Sequence, residues 1–426
     1  MTAPAHRGPS PITAPARLMN GPLTGAWWLF LGAGLVVAVL ARVSLLPAQG
    51  WRPDLDLFAS WVHVIATTPL GEAYRSSLNF GPVFAAVYWL LGIAQPAFAT
   101  ATDASGLGVR LALKLPAVIA DLGLVAGVAW LVRDRPRWAV VAAIGVALSP
   151  AVLYDGSWWG QSESIYVLAG LLATILALGG RPYLAAIALA AALMAKPQAL
   201  VFVAPMAAWA WSSLGPRRAA IAGLVVIVTA AILWVPFLAD DGPMRFIATI
   251  ARVQGEQYPV LSARAWNPWW ILQTAVGRGF LSDRDVLLGP LSPRLLGYLT
   301  FAILELLIAL AVVRDPGRRG LLLGMAASVL VGFLCLTSMH ERYAYGALVF
   351  LAPLLPDRRI LATWLTLEVT VFLNLVAAAP PSDRIAAAIP VDGALGLVGA
   401  AVITASTGMV LWLLIRQDDA ETRSPI

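Results

Sequence analysis

Charged side chains are scarce in this chain. Of its 426 residues only 12% are Asp, Glu, Lys or Arg, whereas 60% are hydrophobic and the mean hydropathy is +0.79. Soluble domains carry about 25% charged residues, so the composition excludes a soluble enzyme and a disordered tail. At about 20 residues for each crossing of the bilayer, the chain is long enough for about a dozen spans. The sequence therefore predicts an all-α, polytopic membrane protein.

Cysteine and histidine are nearly absent as well. The single cysteine, Cys335, lies in an apolar run and has no partner for an internal disulfide, which excludes a disulfide-built secreted module. The 3 histidines show no zinc-ligand spacing. The chain also lacks a G-x-x-x-x-G-K-[ST] loop and the G-x-G-x-x-G and G-x-S-x-G motifs. No nucleotide-driven pump or dinucleotide enzyme fits this pattern.

Arginine supplies most of the positive charge, because the only lysines are Lys114 and Lys196 while the net charge is +6. The arginines cluster in short loops between apolar runs, and such loops are cytoplasmic by the positive-inside rule. Orientation in the bilayer, rather than nucleic-acid binding, therefore explains the charge. The scarcity of lysine beside abundant Ala, Arg and Gly is typical of a GC-rich bacterial genome, so we expect the protein in a bacterial inner membrane.

Alternation of the loop charge predicts about twelve spans (eleven to thirteen) in one transmembrane domain, 25–416. The apolar runs are 25–48, 110–132, 138–154, 164–180, 182–197, 199–213, 219–239, 293–313, 320–338, 343–356, 359–378 and 394–416. Cytoplasmic tails are expected over 1–24 and 417–426. Two long outer loops follow, 49–109 and 240–292. The alternation closes only if 81–98 is an interfacial or re-entrant helix within the first loop.

Two carboxylates, Asp54 and Asp56, begin the first outer loop in the segment WRPDLDLFASW. One of them could act as a general base, or the pair could hold a metal ion. Aspartate is also a common helix cap, which is the plainer interpretation. Phe58 and Trp61 follow on one helical face, a pattern typical of a helix that lies at the membrane interface.

A second polar segment, SPAVLYDGSWWGQSESIY, falls between two apolar runs on the outer side. Aromatic faces suit the C–H surfaces of a sugar, and carboxylate and amide groups suit its hydroxyls, so the composition favours sugar or acceptor binding. The candidate residues are Asp155, Trp158, Trp159, Gln161 and Glu163. The alternative is that the tryptophans anchor the chain at the interface while the serines cap a helix.

Two short outer segments carry cations close to the membrane surface. Lys196 and Gln198 flank Pro197 in a break between apolar runs, where a lipid phosphate could pair with the lysine; the alternative is snorkelling to the interface. The turn Met339–Tyr343 places His340, Glu341 and Arg342 side by side. Packing alone does not explain three ionisable side chains in one tight turn, so His340 and Glu341, with Gln198, are further candidate contacts for the sugar or the acceptor.

The second outer loop ends in ARAWNPWWILQ, residues 263–273. Arg264 is a candidate contact for phosphate and Asn267 for a sugar or an acceptor. Three further carboxylates, Asp121, Glu305 and Glu368, fall at membrane depth, where ionisable groups are rare and often functional. For these three, interhelical hydrogen bonding is the favoured interpretation.

In its order of segments the chain resembles the GT-C superfamily of glycosyltransferases, which use polyprenyl-phosphate sugars. It is most similar to mannosyltransferase-like and glucosyltransferase-like members, and less to protein O-mannosyltransferases. The resemblance covers most of the chain. It rests on DLDLFASW at 54–61, NFGPVFAAVY at 79–88, KLPAVIADL at 114–122, WWGQSES at 158–164 with AKPQ at 195–198, and NPWW at 267–270 followed by HERY at 340–343.

The resemblance implies that an acidic residue of the first outer loop is the catalytic base. The family pattern places it four residues before the phenylalanine, which is Asp54 ahead of Phe58, with Asp56 as second choice. Two departures are visible: Glu163 stands where the family usually has aspartate, and Phe80-Gly81-Pro82 replaces Tyr-Pro-Pro.

The expected reaction is inverting transfer of a hexose, mannose or glucose, from a polyprenyl-phosphate sugar to a lipid, glycan or protein acceptor on the outer face. Lys196, Arg264 and Arg342 are the expected contacts of the departing phosphate. No cofactor is certain, although Asp54, Asp56, Asp155 and Glu163 could hold Mg²⁺ or Mn²⁺. The alternative function is a transporter or flippase for a sugar or a lipid-linked substrate, acting through the carboxylates at membrane depth.

Overall fold

The computed structural model describes residues 22–276, 282–286 and 290–416. In chain order, the helices are α1 (Gly25–Leu45), α2 (Arg52–Thr67), α3 (Pro82–Ala94), α4 (Leu107–Leu131), α5 (Pro136–Ala147), α6 (Pro150–Trp159), α7 (Glu163–Leu178), α8 (Pro182–Ala195), α9 (Val203–Leu214), α10 (Pro216–Trp234), α11 (Gly242–Arg252), α12 (Pro268–Val276), α13 (Pro293–Arg314), α14 (Arg318–Cys335), α15 (Tyr345–Leu351), α16 (Arg358–Ala378), α17 (Asp383–Ala388) and α18 (Ala394–Ile415). Apart from residues 22–24, the two predicted tails lie outside the described residues.

Extended structure is limited, in the described ranges, to two isolated bridges and the parallel pair β1 (Ser262–Ala263) and β2 (Met339–His340). Seven of the described helices are long and apolar enough to cross a membrane: α1, α4, α10 with its extension to Asp240, α13, α14, α16 and α18. The predicted all-α, membrane-embedded class is thereby confirmed.

Every one of the twelve predicted apolar runs contains a helix. Four of these helices fall short of a full crossing, since α7, α8, α9 and α15 have 16, 14, 12 and 7 residues and a crossing needs about 20. The run at 138–154 is not a continuous helix either. It breaks at Ser149-Pro150 into α5 and α6, which meet at a bend of 41°.

Proline and glycine explain where many of these helices begin and end. Proline occupies the first turn of α3, α5, α8, α10 and α13, where its missing N–H leaves no hydrogen bond unmade. Gly180 and Gly215 adopt positive φ angles of +69° and +78° in the turns before α8 and α10. Left-handed backbone is what reverses the chain at these two turns.

The predicted helix at 81–98 is present as α3 and a short 3₁₀ turn, Pro96–Ala99. α2 precedes it in the same loop and buries Phe58 and Trp61, whose ring centroids lie 5.5 Å apart. Both rings also contact Tyr88 of α3, at centroid distances of 6.4 and 6.5 Å, so α2 and α3 give the first long loop a hydrophobic core of its own.

The helix ends gather into two groups. One end, here called the basic end, joins the turns at 132–135, 315–319 and 355–358 through ion pairs, Arg318 to Asp134 at 2.9 Å and Arg319 to Asp357 at 3.1 Å. The other, here called the loop end, brings together 46–56, 159–163, 196–198 and 336–344. There Lys114 donates to the carbonyls of Leu46 and Ala48 at 3.2 and 2.9 Å, which satisfies the end of α1.

Candidate active site at the loop end

Asp54 lies in the first turn of α2, half-buried at the loop end. Its Oδ2 accepts hydrogen bonds from the Trp159 indole N–H at 3.0 Å and from the Gln161 amide at 2.5 Å. Its Oδ1 accepts none from the described part of the protein. Two donors on one oxygen fix the plane of the carboxylate and leave the other oxygen available to a ligand.

Two cations share a single carboxylate beside it. Lys196 Nζ forms an ion pair with Glu163 Oε2, and Arg342 Nε lies 3.0 Å from Glu163 Oε1. Arg342 Nη1 also lies 2.6 Å from Glu341 Oε1. The side chains of Lys196, Glu163 and Glu341 are exposed by 2% or less. These charges are therefore removed from water and depend on each other.

Burial and the neighbouring charges set the protonation of the turn 340–343. Burial acts to raise the pKa of Glu341, but Arg342 and His340 outweigh it and bring that pKa down to about 2. Burial and Arg342 lower the pKa of His340, which favours the neutral imidazole. Burial also lowers the pKa of Lys196, against the opposing effect of Glu163. Glu163 is thus the largest of the groups that oppose the effect of burial on the pKa of the lysine.

Aromatic rings line the two cations. Lys196 Nζ lies 4.8 Å from the ring centroid of Phe80 and 5.9 Å from that of Tyr343. The Arg342 guanidinium lies 5.5 Å from the Trp159 ring. Such rings stabilise a cation through the negative face of the π system while excluding water. Phe80 and Tyr343 were not named as candidate site residues, although each lies within a segment that carries the family resemblance.

The break at Ser149-Pro150 is what delivers the tryptophan segment to this site. Glu368 Oε1, on α16, accepts hydrogen bonds from the Ser149 hydroxyl and the Ala151 N–H, both at 2.8 Å. The next residues, Leu153–Trp159, form a π-helical stretch, which ends at Gly160 with φ +88°. A π-helical stretch of this kind is rare and often marks a functional position.

The first outer loop is held closely against the segment that carries Lys196. The Gly81 N–H donates to the carbonyl of Ala195 at 3.0 Å, and a Cβ at Gly81 would collide with the carbonyl of Met194. Only glycine permits this approach. The departure Phe80-Gly81-Pro82 therefore has a physical reason, since it sets the Phe80 ring beside Lys196.

Several buried polar atoms near this cluster have no hydrogen-bond partner among the described residues. Both carboxylate oxygens of Asp155 are unpaired at 1% exposure, as are Oε1 of Gln161 and the hydroxyls of Ser157 and Ser162. The charges of Glu163, Arg342 and Lys196 all act on Asp155, so it belongs to the same cluster. Buried polar groups are almost always hydrogen-bonded, and these atoms are suited to a hydroxyl-rich ligand.

The second outer loop is attached to the turn 336–344 from the other side. β1 pairs with β2, and the backbone of Arg264 bridges to His340. Asp283, fully buried, accepts two hydrogen bonds from Arg294 at 2.8 and 2.9 Å and one from the Thr337 hydroxyl at 2.6 Å. Sequence reasoning missed this attachment, because a pairing of two residues leaves no periodic pattern.

Other predicted residues have different partners. Asp56 pairs with Arg52 at 2.8 Å and accepts from the Ala104 N–H at 2.9 Å. The Arg264 guanidinium donates to the carbonyl of Ala378 at 2.8 Å, away from Glu163. Asn267 is fully buried; its amide donates to the Phe333 carbonyl and its oxygen accepts from the Trp270 N–H. These contacts stabilise the start of α12, and the sugar-binding role of Asn267 stays a prediction.

Trp158 and Gln198 lie on the same segments as Trp159 and Lys196. The Trp158 ring stacks on Tyr154 with centroids 4.4 Å apart, and the Tyr154 hydroxyl donates to the Ala379 carbonyl. Gln198 has an unpaired, buried Oε1 two residues after Lys196. The four carboxylates named as possible metal ligands do not share one set of partners. No three His, Cys, Asp or Glu side chains of the described residues converge in a metal-binding group.

The three carboxylates at membrane depth make interhelical hydrogen bonds, as predicted. Asp121 accepts from the Tyr345 hydroxyl at 3.1 Å and lies 4.0 Å from Arg42. Glu305 accepts from the Ser328 hydroxyl at 2.5 Å, and Glu368 accepts from Ser149. Each carboxylate therefore joins two helices.

A scan against protein-family models finds no match to this chain, and a search of curated proteins finds no significant match either. The function is accordingly inferred from the geometry and chemistry of the chain's own residues.

Proposed function

We propose that the protein is a membrane glycosyltransferase of the GT-C type, which transfers a hexose from a polyprenyl-phosphate sugar to a hydroxyl of a lipid, glycan or protein. The observation that carries the proposal is that Asp54, oriented by Trp159 and Gln161, interacts electrostatically with Arg342, which shares Glu163 with Lys196. A base and a phosphate-binding group on one face are what such a transfer requires.

Asp54 is the proposed general base. Its Oδ2 is held by two donors, so the free Oδ1 is the atom that takes the proton of the acceptor hydroxyl. The hydroxyl oxygen then attacks the anomeric carbon, and the bond between that carbon and the phosphate oxygen breaks with inversion. A lipid phosphate is already a good leaving group, so the reaction needs no separate acid.

Lys196 and Arg342 are the proposed partners of the departing phosphate. Both cations pair with Glu163, so the phosphate joins an arrangement that the protein's own side chains assemble. Charge-assisted hydrogen bonds to phosphate are about twice as strong as neutral ones. In a site this dry, preorganised cations also stabilise the charge that develops as the sugar leaves.

Asp155 is the proposed contact of the sugar hydroxyls. A buried carboxylate with two unpaired oxygens accepts hydrogen bonds from two adjacent hydroxyls without further rearrangement. The indoles of Trp158 and Trp159 lie on the same π-helical stretch and provide apolar surface for the sugar ring. Ser157 and Ser162 add hydroxyls that lack a protein partner.

The proposed membrane arrangement has about twelve spans, with the shorter helices α7, α8, α9 and α15 counted as crossings in the interior of the bundle. The basic end then faces the cytoplasm by the positive-inside rule. The loop end, with Asp54 and Lys196, faces the extracytoplasmic side of a bacterial inner membrane. A polyprenyl tail stays in lipid, so a site at headgroup depth is where its phosphate arrives.

The test uses purified protein with a panel of radiolabelled polyprenyl-phosphate sugars and a membrane extract as the source of acceptor. We expect one labelled product, and a loss of transfer of about 10³-fold in Asp54→Asn, within the range for removal of a general base. Asp56→Asn is the matched control, since Asp56 is two residues away and pairs with Arg52. It should retain transfer within a few-fold of the unmodified protein.

Near-normal transfer by Asp54→Asn, with Asp56→Asn inactive, would reverse the assignment of the base. Uptake of substrate into proteoliposomes without any glycosylated product would instead favour the transporter. Parallel reactions with EDTA and with added Mg²⁺ or Mn²⁺ measure whether transfer requires a divalent cation.

A further inference from the structure

A cavity of about 600 Å³ lies at the basic end of the bundle. α7 begins at Glu163 in the candidate site and, after about 24 Å of helix, ends at Leu178 on the wall of this cavity. Three turns meet around it, and Gly180 and Pro316 line it. A Cβ at Gly180 or at Gly215 would have no atom within 4 Å, so neither turn fills the space.

The polar side chains of the cavity lining are all hydrogen-bond donors, and they belong to Tyr183, Trp209, Ser213 and Arg218. Trp209 is only 6% exposed, yet its indole N–H donates to no group of the described protein. The hydroxyls of Tyr183 and Ser213, on the same lining, also make no hydrogen bond within the described ranges. These donors line one opening, and together they suit a ligand that supplies hydrogen-bond acceptors.

Positive charge surrounds the same opening. Arg218 lines the cavity, and Arg181 and Arg217 lie in the adjoining turns. None of the three has an ion-pair partner among the described residues. The acidic residue beside the lining, Asp315, accepts from the N–H of Gly317 at 3.1 Å. The site is therefore short of negative charge.

The remaining lining is apolar and continues onto the outside of the bundle. Leu178 and Leu214 line the cavity. Beyond it, α8 exposes Leu184 and Ile187 by 48% and 44%, and α10 exposes Leu224 by 59%. A ligand that satisfies both surfaces has an anionic head and apolar chains.

We propose that this cavity binds an anionic phospholipid. Its phosphate accepts hydrogen bonds from Trp209 and Arg218, and its acyl chains lie on the exposed leucines and isoleucines of α8 and α10. Basic pockets between transmembrane helices are known to take such headgroups. The proposal is independent of the chemistry at the loop end.

The test measures the thermal unfolding midpoint of the purified full-length protein in detergent, titrated with phosphatidylglycerol or with phosphatidylcholine. Phosphatidylglycerol should raise the midpoint by several degrees, and phosphatidylcholine by much less. Arg218→Gln and Trp209→Phe should each weaken the apparent affinity for phosphatidylglycerol about tenfold, the loss of one charge-assisted contact. Arg252→Gln is the matched control, an exposed arginine on α11 without a described partner.

Equal stabilisation of Arg218→Gln and the unmodified protein would overturn the proposal. So would an equal effect of phosphatidylcholine, or an equal loss in Arg252→Gln. Two further titrations separate the sources of phosphate. If inorganic phosphate reproduces the shift, the ligand is a free anion, and if a polyprenyl phosphate binds more tightly than phosphatidylglycerol, it is not a phospholipid; either result overturns the assignment.

Discussion

The two ends of the bundle use the same ion-pair chemistry in opposite surroundings. At the basic end, the side chains of Arg318 and Asp134 are 41% and 51% exposed. At the loop end, those of Lys196 and Glu163 are 2% and 0% exposed. Exposed pairs contribute about 0–1 kcal/mol, whereas breaking a buried pair costs about 3–5 kcal/mol.

This difference in burial indicates which end of the bundle carries the proposed function. Well-packed apolar residues usually stabilise an interior at least as well as a buried ion pair does, so packing does not account for Lys196, Arg342, Glu163 and Glu341 in one cluster. The exposed arginines of the basic end need no such explanation, because loop charge orients the chain. The charges that are buried, despite the free-energy cost of removing them from water, lie at the end where we propose the chemistry.

The largest effect on stability is expected from a substitution at Glu163. Glu163→Gln leaves Lys196 without its ion-pair partner and Arg342 with only Glu341, so we expect the free energy of unfolding to fall by about 3–5 kcal/mol. Transfer should be lost as well, because burial lowers the pKa of Lys196 and Glu163 is the first of the groups that oppose it. Denaturant titration in mixed micelles measures the first effect, and the labelled-sugar assay the second.

Glu163→Asp is the control, because it keeps the charge but shortens the reach. One carboxylate now contacts cations on two different segments, and aspartate should hold only one of them. An intermediate loss is expected. A fully active and stable Glu163→Gln would contradict the proposed role of this residue.

The ion pair of Glu341 with Arg342 at the loop end should make the stability of the protein depend on pH. Its pKa is lowered from the ordinary 4.5 to about 2, so its contribution is fully present above about pH 5 and is lost as the pH falls to about 2. That shift corresponds to on the order of 3 kcal/mol. The difference in unfolding free energy between the unmodified protein and Glu341→Gln should therefore shrink between pH 5 and pH 2. A difference that stays constant over this window would refute the assignment.

Hydropathy and loop charge were sufficient to predict a helix in each apolar run, because lipid requires each spanning segment to satisfy its own backbone, but they did not predict α11, α12 or α17. They did not predict the break at Ser149-Pro150, where the N–H of Ala151 and the hydroxyl of Ser149 use Glu368, more than two hundred residues away. The pairing of β1 with β2 also depends on distant segments. A local pattern carries no information about partners so remote in sequence.

The candidate site could be predicted in part for the same reason. Motif spacing placed Asp54, Gln161, Lys196 and Arg342 on one side of the membrane, and the structure brings them together. Motif spacing did not predict that Lys196 pairs with Glu163. An amide beside tryptophans suits a sugar site by composition, but composition did not predict that the Asn267 amide donates to the Phe333 carbonyl.

Glu368 tests how far the loop end depends on its supports. Glu368→Ala removes the acceptor of two buried donors, which costs about 1–3 kcal/mol, and lets the stretch carrying Trp159 move. Transfer should fall about tenfold or more. Glu368→Gln is the matched variant, since its amide oxygen still accepts from Ser149 and Ala151, and it should restore activity. Equal losses in both variants would show that the charge of Glu368, not its position as acceptor, matters.

The smallest effect is expected at the basic end. Arg318→Gln breaks the pair with Asp134, but both side chains are exposed and water replaces the lost partner. The free energy of unfolding should change by less than about 1 kcal/mol, and sugar transfer should stay within two-fold of normal. Raising the salt from 0.05 to about 0.5 M should remove even this difference, since it shortens the Debye length below about 5 Å. If Arg318→Gln lowered the free energy of unfolding as much as Glu163→Gln does, burial would not explain the difference between the two ends.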